Sequence, residues 1–316
     1  MSKAISKTQK ASLRVIPWAI LCCLLWSSAF AVVKIGLNYM PPLTFAGMRF
    51  VLAGLMLMPF CVRPKAVAFA LRRQKRLILW VSFLQTIVLY STYFVGMKLV
   101  GGAQAAIVVG SGPLASALMA HWFMKNDRMT WGKSCSIGMG MVGVVVLAWA
   151  SKPWSPAGMR QVIGMGLLMV GVVSSAVSGI LVARSRRAMN PMLLACLQMS
   201  FGGAVLLVIA IAIEGLPGEM PPLQFLVALA WLAFVSATAF SIWFYWLKRV
   251  KVSELNMWKF LVPVFGVVIS WVLLSGESPD LITVACMACV AGAVLMNQLA
   301  ARKNGKTNDK SPVRTI

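Results

Sequence analysis

Four ionisable side chains sit where a chain of this composition accommodates charge least easily. Arg49, Lys259, Lys34 and His121 fall inside apolar runs, in a sequence that is 60% hydrophobic and only 12% charged. A charge placed in hydrocarbon is costly, so such residues mark binding or conduction pathways by default. Arg49 lies well inside its run and cannot easily reach headgroups, which leaves a functional role or a bond between helices. Lys259, Pro263, Gly266 and Ser270 share one helical stripe, and the proline frees a backbone carbonyl near the lysine. That pattern favours a lysine facing a cavity over one reaching the interface. Lys34 and His121 stand near the ends of their runs, where such side chains extend toward water.

Neutral groups accompany these cations. Thr86, Tyr90, Tyr93 and Met97 form a stripe matched by Ser236, Phe240, Trp243 and Leu247. Aromatic stripes at helical spacing serve packing or lipid contact more often than binding, but a hydroxyl opens each one, as in a cavity wall. Ser174, Ser178 and Gln198 add polar groups that also suit inter-helix bonds. None of the seven acids (Asp127, Glu214, Glu219, Glu254, Glu277, Asp280, Asp309) lies in the middle of an apolar run. Proton-driven pumps commonly relay through intramembrane carboxylates; without one, a facilitator or exchanger is expected, or coupling through Lys259 or a tyrosine. With one histidine and no mid-run carboxylate, acid–base or nucleophilic catalysis has no partners, and no P-loop binds a nucleotide. No catalytic residue, metal or cofactor is expected. The CxxC at Cys286 and Cys289 has no second ligand pair, and the seven cysteines read as small buried hydrophobes.

The elements that must position these groups are membrane-spanning helices. Uncharged runs near 20 residues recur, the length needed to cross about 30 Å of hydrocarbon, and only helices satisfy their own backbone there. Spans are expected at 17–37, 43–62, 77–97, 102–124, 133–150, 161–183, 191–213, 223–247, 255–275 and 281–301. The first is read as an uncleaved helix, since 15–33 is long for a signal core. The net charge of +23 distributes 24 Lys and Arg to one side and Lys98, Lys152 and Arg160 to the other. That asymmetry is the positive-inside pattern; it places both termini in the cytoplasm and argues against nucleic acid as a partner.

An internal repeat organises the spans. A shift of 150 residues pairs Ser28 with Ser178, Pro41 with Pro191, Ser91 with Ser241, Phe94 with Phe244, Lys98 with Lys248 and Pro113 with Pro263. Five spans per half force the second half to enter from the opposite side, giving inverted repeats with a site near the midplane. Trp26-Ser27-Ser28, Lys34-Ile35-Gly36, Pro41-Pro42-Leu43-Thr44 and Arg49-Phe50 open the first half. Pro113 precedes Asp127-Arg128-Met129-Thr130 by fourteen residues, as Pro263 precedes Glu277. This order resembles the two EamA domains of the drug/metabolite transporter superfamily, with Ser27 in place of the usual Gly and Asp127 where Glu is commoner.

The expected architecture is an all-α integral membrane protein of ten transmembrane helices. It comprises a cytoplasmic segment 1–14, five-helix repeats 15–150 and 151–301, and a disordered tail 302–316. The resemblance implies transport of small metabolites, often amino acids, across a bacterial inner membrane; a lipid or polyprenyl-phosphate carrier is the alternative, and an intramembrane enzyme a more distant one. The candidate substrate-binding residues are Lys259, Arg49, Tyr90, Tyr93, Trp243, Ser178 and Trp26, for a small, carboxylate-bearing solute. Pro113 and Pro263 are hinge or packing positions.

Overall fold

The computed structural model describes residues 7–61, 63–123, 156–185, 189–216, 221–250, 255–274 and 281–308, with isolated positions between 131 and 149. Among them the chain is helical throughout. The elements are α1 (Lys7–Gly36), α2 (Pro42–Cys61), a short α3 (Pro64–Arg73), α4 (Lys75–Leu99) and α5 (Gly102–Phe123). After a gap in the described residues come α6 (Pro156–Arg184), α7 (Pro191–Glu214), α8 (Leu223–Leu247), α9 (Leu261–Leu273, entered through the 3-10 turn Met257–Phe260) and α10 (Leu281–Asn308). Several begin with proline, which lacks only an N–H that the first turn leaves unpaired. Asn190 caps α7, its Oδ1 accepting from Met192 N at 2.9 Å, and the helix stops at Gly215, whose φ of 80° suits glycine.

Among the described residues, seven helices are long and apolar enough to cross a membrane: α1 from Val15, α2, α4, α5, α6 from Ala157, α7 and α8. The expected spans 255–275 and 281–301 are also helical, with shorter apolar stretches at Val264–Leu273 and Leu281–Ala293. The expected span 133–150 lies largely outside the described residues. Helix α1 starts at Lys7, inside the segment assigned to 1–14, and α10 runs on to Asn308, past the expected span end at 301.

At the centre, α2 packs on α7 at backbone distance. A Cβ placed on Gly203 would lie 2.6 Å from Val51 N, one on Gly54 2.9 Å from Ser200 N, and one on Gly47 2.7 Å from Leu207 Cγ. Partners fall from 207 to 200 as positions rise from 47 to 54, so the helices are antiparallel. Small residues permit this approach, and dispersion rather than water exclusion holds helices together in lipid. At one end the Glu214 carboxylate, closing α7, accepts from Leu43 N at 2.9 Å, Thr44 N at 2.8 Å and Thr44 Oγ1 at 2.8 Å. It satisfies N–H groups that the first turn of α2 leaves free and sits at the positive end of that helix.

Around this pair the packing has a simple symmetry. α1 packs on α8 as α6 packs on α4; α1 on α9 as α6 on α5; α2 on α8 as α7 on α4. These three pairings recur across the two halves. Local departures break the match: α3 has no equivalent between α7 and α8 among the described residues. Ser82–Val88 of α4 form a π-helical segment, whereas the corresponding α8 is regular α-helix throughout.

The central contact gives a direct test. Gly203→Leu should cost about 1–3 kcal/mol or more through overpacking, read as a lowered melting temperature of the detergent-purified protein. Gly166→Ala, where a Cβ meets nothing within 4 Å, should leave it unchanged or raise it.

Candidate functional site

A cavity of about 140 Å³ opens between α1, α2, α4, α5, α6, α8 and the turn before α9. Engineered cavities of this order accept a molecule the size of benzene, so the space suits a small solute. Most of its wall is apolar and aromatic, and the polar groups are few.

Arg49 supplies the first cation. Helix α2 packs on α8, which sets Arg49 opposite Ser236: Nε donates to Ser236 Oγ at 2.8 Å, and that hydroxyl donates to Leu232 O at 2.9 Å. The guanidinium lies 5.2 Å from the ring centre of Phe50, 5.3 Å from Tyr90 and 5.9 Å from Phe94. Arg49 is 1% exposed, and its Nη1 has no hydrogen-bond partner among the described residues. A buried donor of that kind calls for an acceptor. The inter-helix bond expected of Arg49 is present through Nε, and the residue also lines the cavity.

Lys259 supplies the second. It sits on the 3-10 turn ahead of α9, where Pro263 removes the N–H that would complete an α-turn onto Lys259 O. Its Nζ lies 4.9 Å from the ring centre of Trp243 and 5.5 Å from Trp26, and those two indoles meet edge-on with centroids 4.9 Å apart. Trp26 Nε1 is buried without a partner among the described residues. Tyr90 and Tyr93 stand on α4 with centroids 5.8 Å apart, and Phe240 bridges the two aromatic groups, 5.7 Å from Trp26 and 6.3 Å from Tyr90.

Six of the seven candidate residues therefore line one space: Lys259, Arg49, Tyr90, Tyr93, Trp243 and Trp26. Ser178 does not; it is buried beside the lining residue Gly179, and its hydroxyl has no partner among the described residues. Pro113 and Pro263 each follow a lining residue, Gly112 and Val262. The stripe behind Lys259 turns away, for Gly266 packs against Ala106 and Ser270 against Gly102. Thr86 and Ser236 do not line the wall either. Thr86 bonds to Gln198 across to α7, and Ser236 holds Arg49. Lys34 reaches the end of α4, donating to Met97 O at 2.9 Å, and His121 is half-buried near the end of α5.

Four polar lining residues had no place in the sequence reading: Gln85, Ser116, Ser175 and Asn256. Gln85 carries a usable signal, an amide inside an apolar span, but the π turn that aims it has none. Asn256 stands so close to the start of its span that it reads as an interfacial residue. The lining contains Arg49 and Lys259 and, among the described residues, no acid. Low-dielectric walls concentrate such a field and favour an anion.

A central cavity in a symmetric multi-pass bundle, with polar groups converging on it from several helices, defines a membrane transport protein. Similarity gives the family: the profile of the EamA-like transporter family matches residues 13–149 and again 162–298, and this chain belongs to that family. The inner membrane transporter YedA of Escherichia coli is 24% identical over 86% of this chain and 87% of its own length. The S-adenosylmethionine/S-adenosylhomocysteine transporter of Chlamydia muridarum is 25% identical over 90% of this chain and 93% of its own. A Salmonella typhimurium protein named as an amino-acid metabolite efflux pump is 32% identical over 42% of each chain. One crystal structure superposes with a TM-score of 0.65 at 20% identity, covering 93% of this chain and 99% of that one, which shows a shared fold.

The Lys259 cage is open to measurement. A double-mutant cycle of Lys259→Met and Trp243→Leu, read from stability in detergent, should give a coupling of about 0.5–2 kcal/mol. Strict additivity would mean that the ammonium gains nothing from the indole.

Proposed function

We propose that this protein carries small carboxylate-bearing metabolites, amino acids foremost, across the bacterial inner membrane. The observation that carries the reading is Arg49, a buried cation that lines a cavity containing no acid among its described lining and whose Nη1 has no hydrogen-bond partner among the described residues. A substrate carboxylate would supply the missing acceptor, and the aromatic wall would hold its apolar part. The names of two relatives, for amino-acid metabolite efflux and for S-adenosylmethionine transport, agree with such a cargo. A cavity of about 140 Å³ suits a small solute better than a lipid or polyprenyl phosphate.

The mechanism proposed is alternating access between two inverted five-helix repeats, 15–150 and 151–301. Its support is the exchangeable packing pattern and the antiparallel run of α2 against its counterpart α7. Two copies of one unit in opposite senses provide two gates around one site. With both termini cytoplasmic, the cation asymmetry is accommodated. Export by facilitation or exchange is favoured by the lack of an acid in the middle of any span.

Flux of amino acids, organic acids and lipid phosphates into proteoliposomes tests this reading. Wild type should move at least one class of carboxylate solute, and Arg49→Gln should lower that flux by about tenfold or more, the loss of a charge-assisted bond. Movement of lipid phosphates alone would refute the assignment. An imposed pH gradient should accelerate flux little; strong acceleration that persists in Lys259→Ala would exclude the uncoupled mechanism.

A further inference from the structure

The link between α2 and α4 concentrates charge that transport does not use. Arg63, Lys65, Arg72, Arg73, Lys75 and Arg76 are all exposed, and the sequence from 63 to 81 contains no acid. Helix α3 sorts these residues by face. Lys65, Phe69, Arg72 and Arg73 share one side at i, i+4, i+7 and i+8, while Ala70 is buried and Ala66 half-buried on the other. Phe69 is 59% exposed and Leu71 50%; nearby Phe60, near the end of α2, is 77% exposed. A phenyl ring flanked by cations on an uncovered face suits neither bulk water nor a protein core.

The position of α3 resolves the mismatch. Helices α2 and α4 are each long and apolar enough to span the bilayer, so the ten-residue helix joining them lies at headgroup level. A helix with aromatic and basic residues on its outer face beds into that boundary, its apolar groups reaching the acyl chains. Each Lys or Arg near an anionic leaflet strengthens the attraction by about fivefold. We infer that α3 and the first turn of α4 form a binding site for anionic phospholipid headgroups. Phe69 enters the acyl boundary, and Lys65, Arg72, Arg73, Lys75 and Arg76 hold the phosphates. The site is joined to the cavity by covalent geometry. Gln74 both ends α3 and begins α4, and α4 carries Gln85, Tyr90 and Tyr93 to the cavity wall.

The inference does not rest on the transport reading, and its test reads lipid binding. The full-length protein is placed in phosphatidylcholine nanodiscs containing increasing fractions of phosphatidylglycerol, and backbone hydrogen exchange is followed across residues 63–76. Phosphatidylglycerol should slow exchange there severalfold and leave α7 unchanged. Arg72→Gln/Arg73→Gln/Lys75→Gln/Arg76→Gln should raise the lipid fraction giving half-maximal protection by about several hundredfold, in practice abolishing it. Arg72→Lys/Arg73→Lys should stay within about twofold of wild type, since charge is kept. Removing four cations also weakens the signal that orients the chain, so wild type supplies an independent measurement: about 0.5 M salt should erase the protection by screening. The proposal is overturned by equal exchange in neutral and anionic discs, by protection that survives the quadruple substitution or high salt, or by equal protection from soluble glycerophosphate in a neutral disc.

Discussion

The backbone-to-backbone contact between α2 and α7 is the constraint from which the rest of the bundle follows. Gly203 admits the Val51 amide and Gly54 admits Ser200, so these antiparallel helices meet with almost no side chain between them. Helices this close leave their outer faces free for other neighbours, and α8 and α4 take equivalent places on either side. Arg49 projects from α2 toward α8, where Ser236 receives it. Were a larger residue to hold the central pair apart, the donor–acceptor distance from Arg49 to Ser236 would be among the first to fail. The aromatic wall that shields the guanidinium would then open as well.

On the proposed function, stability and binding share one residue, Arg49. Its desolvation is offset on one edge by Ser236 and over its faces by Phe50, Tyr90 and Phe94. Nη1, without a partner among the described residues, is on that reading the donor left for a substrate carboxylate. A fully bonded arginine would be more stable and would recognise nothing; a freely solvated one would lose the low dielectric that gives its charge reach. Lys259 reaches a similar balance by other means, with indole faces in place of a hydroxyl.

Much of this was readable in the sequence because the bilayer enforces simple rules. Apolar run length located the helices, and the cost of intramembrane charge pointed to Arg49 and Lys259 before any coordinates. Two kinds of detail were not legible. The stripe Lys259, Pro263, Gly266, Ser270 begins on a 3-10 turn, and what each member faces could not be read from spacing. Its far end packs on Gly102 and Ala106, and small residues serve a tight interface as well as an opening. Gln85 was hidden for a different reason. Its orientation depends on a π turn, and no proline or glycine interrupts α4 between 75 and 95 to announce one.

That π turn, Ser82–Val88, has a consequence for chain length. A helix bonded from i to i+5 holds one residue more between the same two planes than one bonded from i to i+4. Elsewhere in a membrane span, deleting a residue rotates everything beyond it by about 100° and tears the packed face from its neighbours. Within 82–88 the surplus residue can be surrendered, the ordinary ladder closing while Ile78 below and Tyr90 above keep their facings. The segment is thus a point inside the bilayer where this fold tolerates a change of register, and α8, which lacks a π turn, has no corresponding slack.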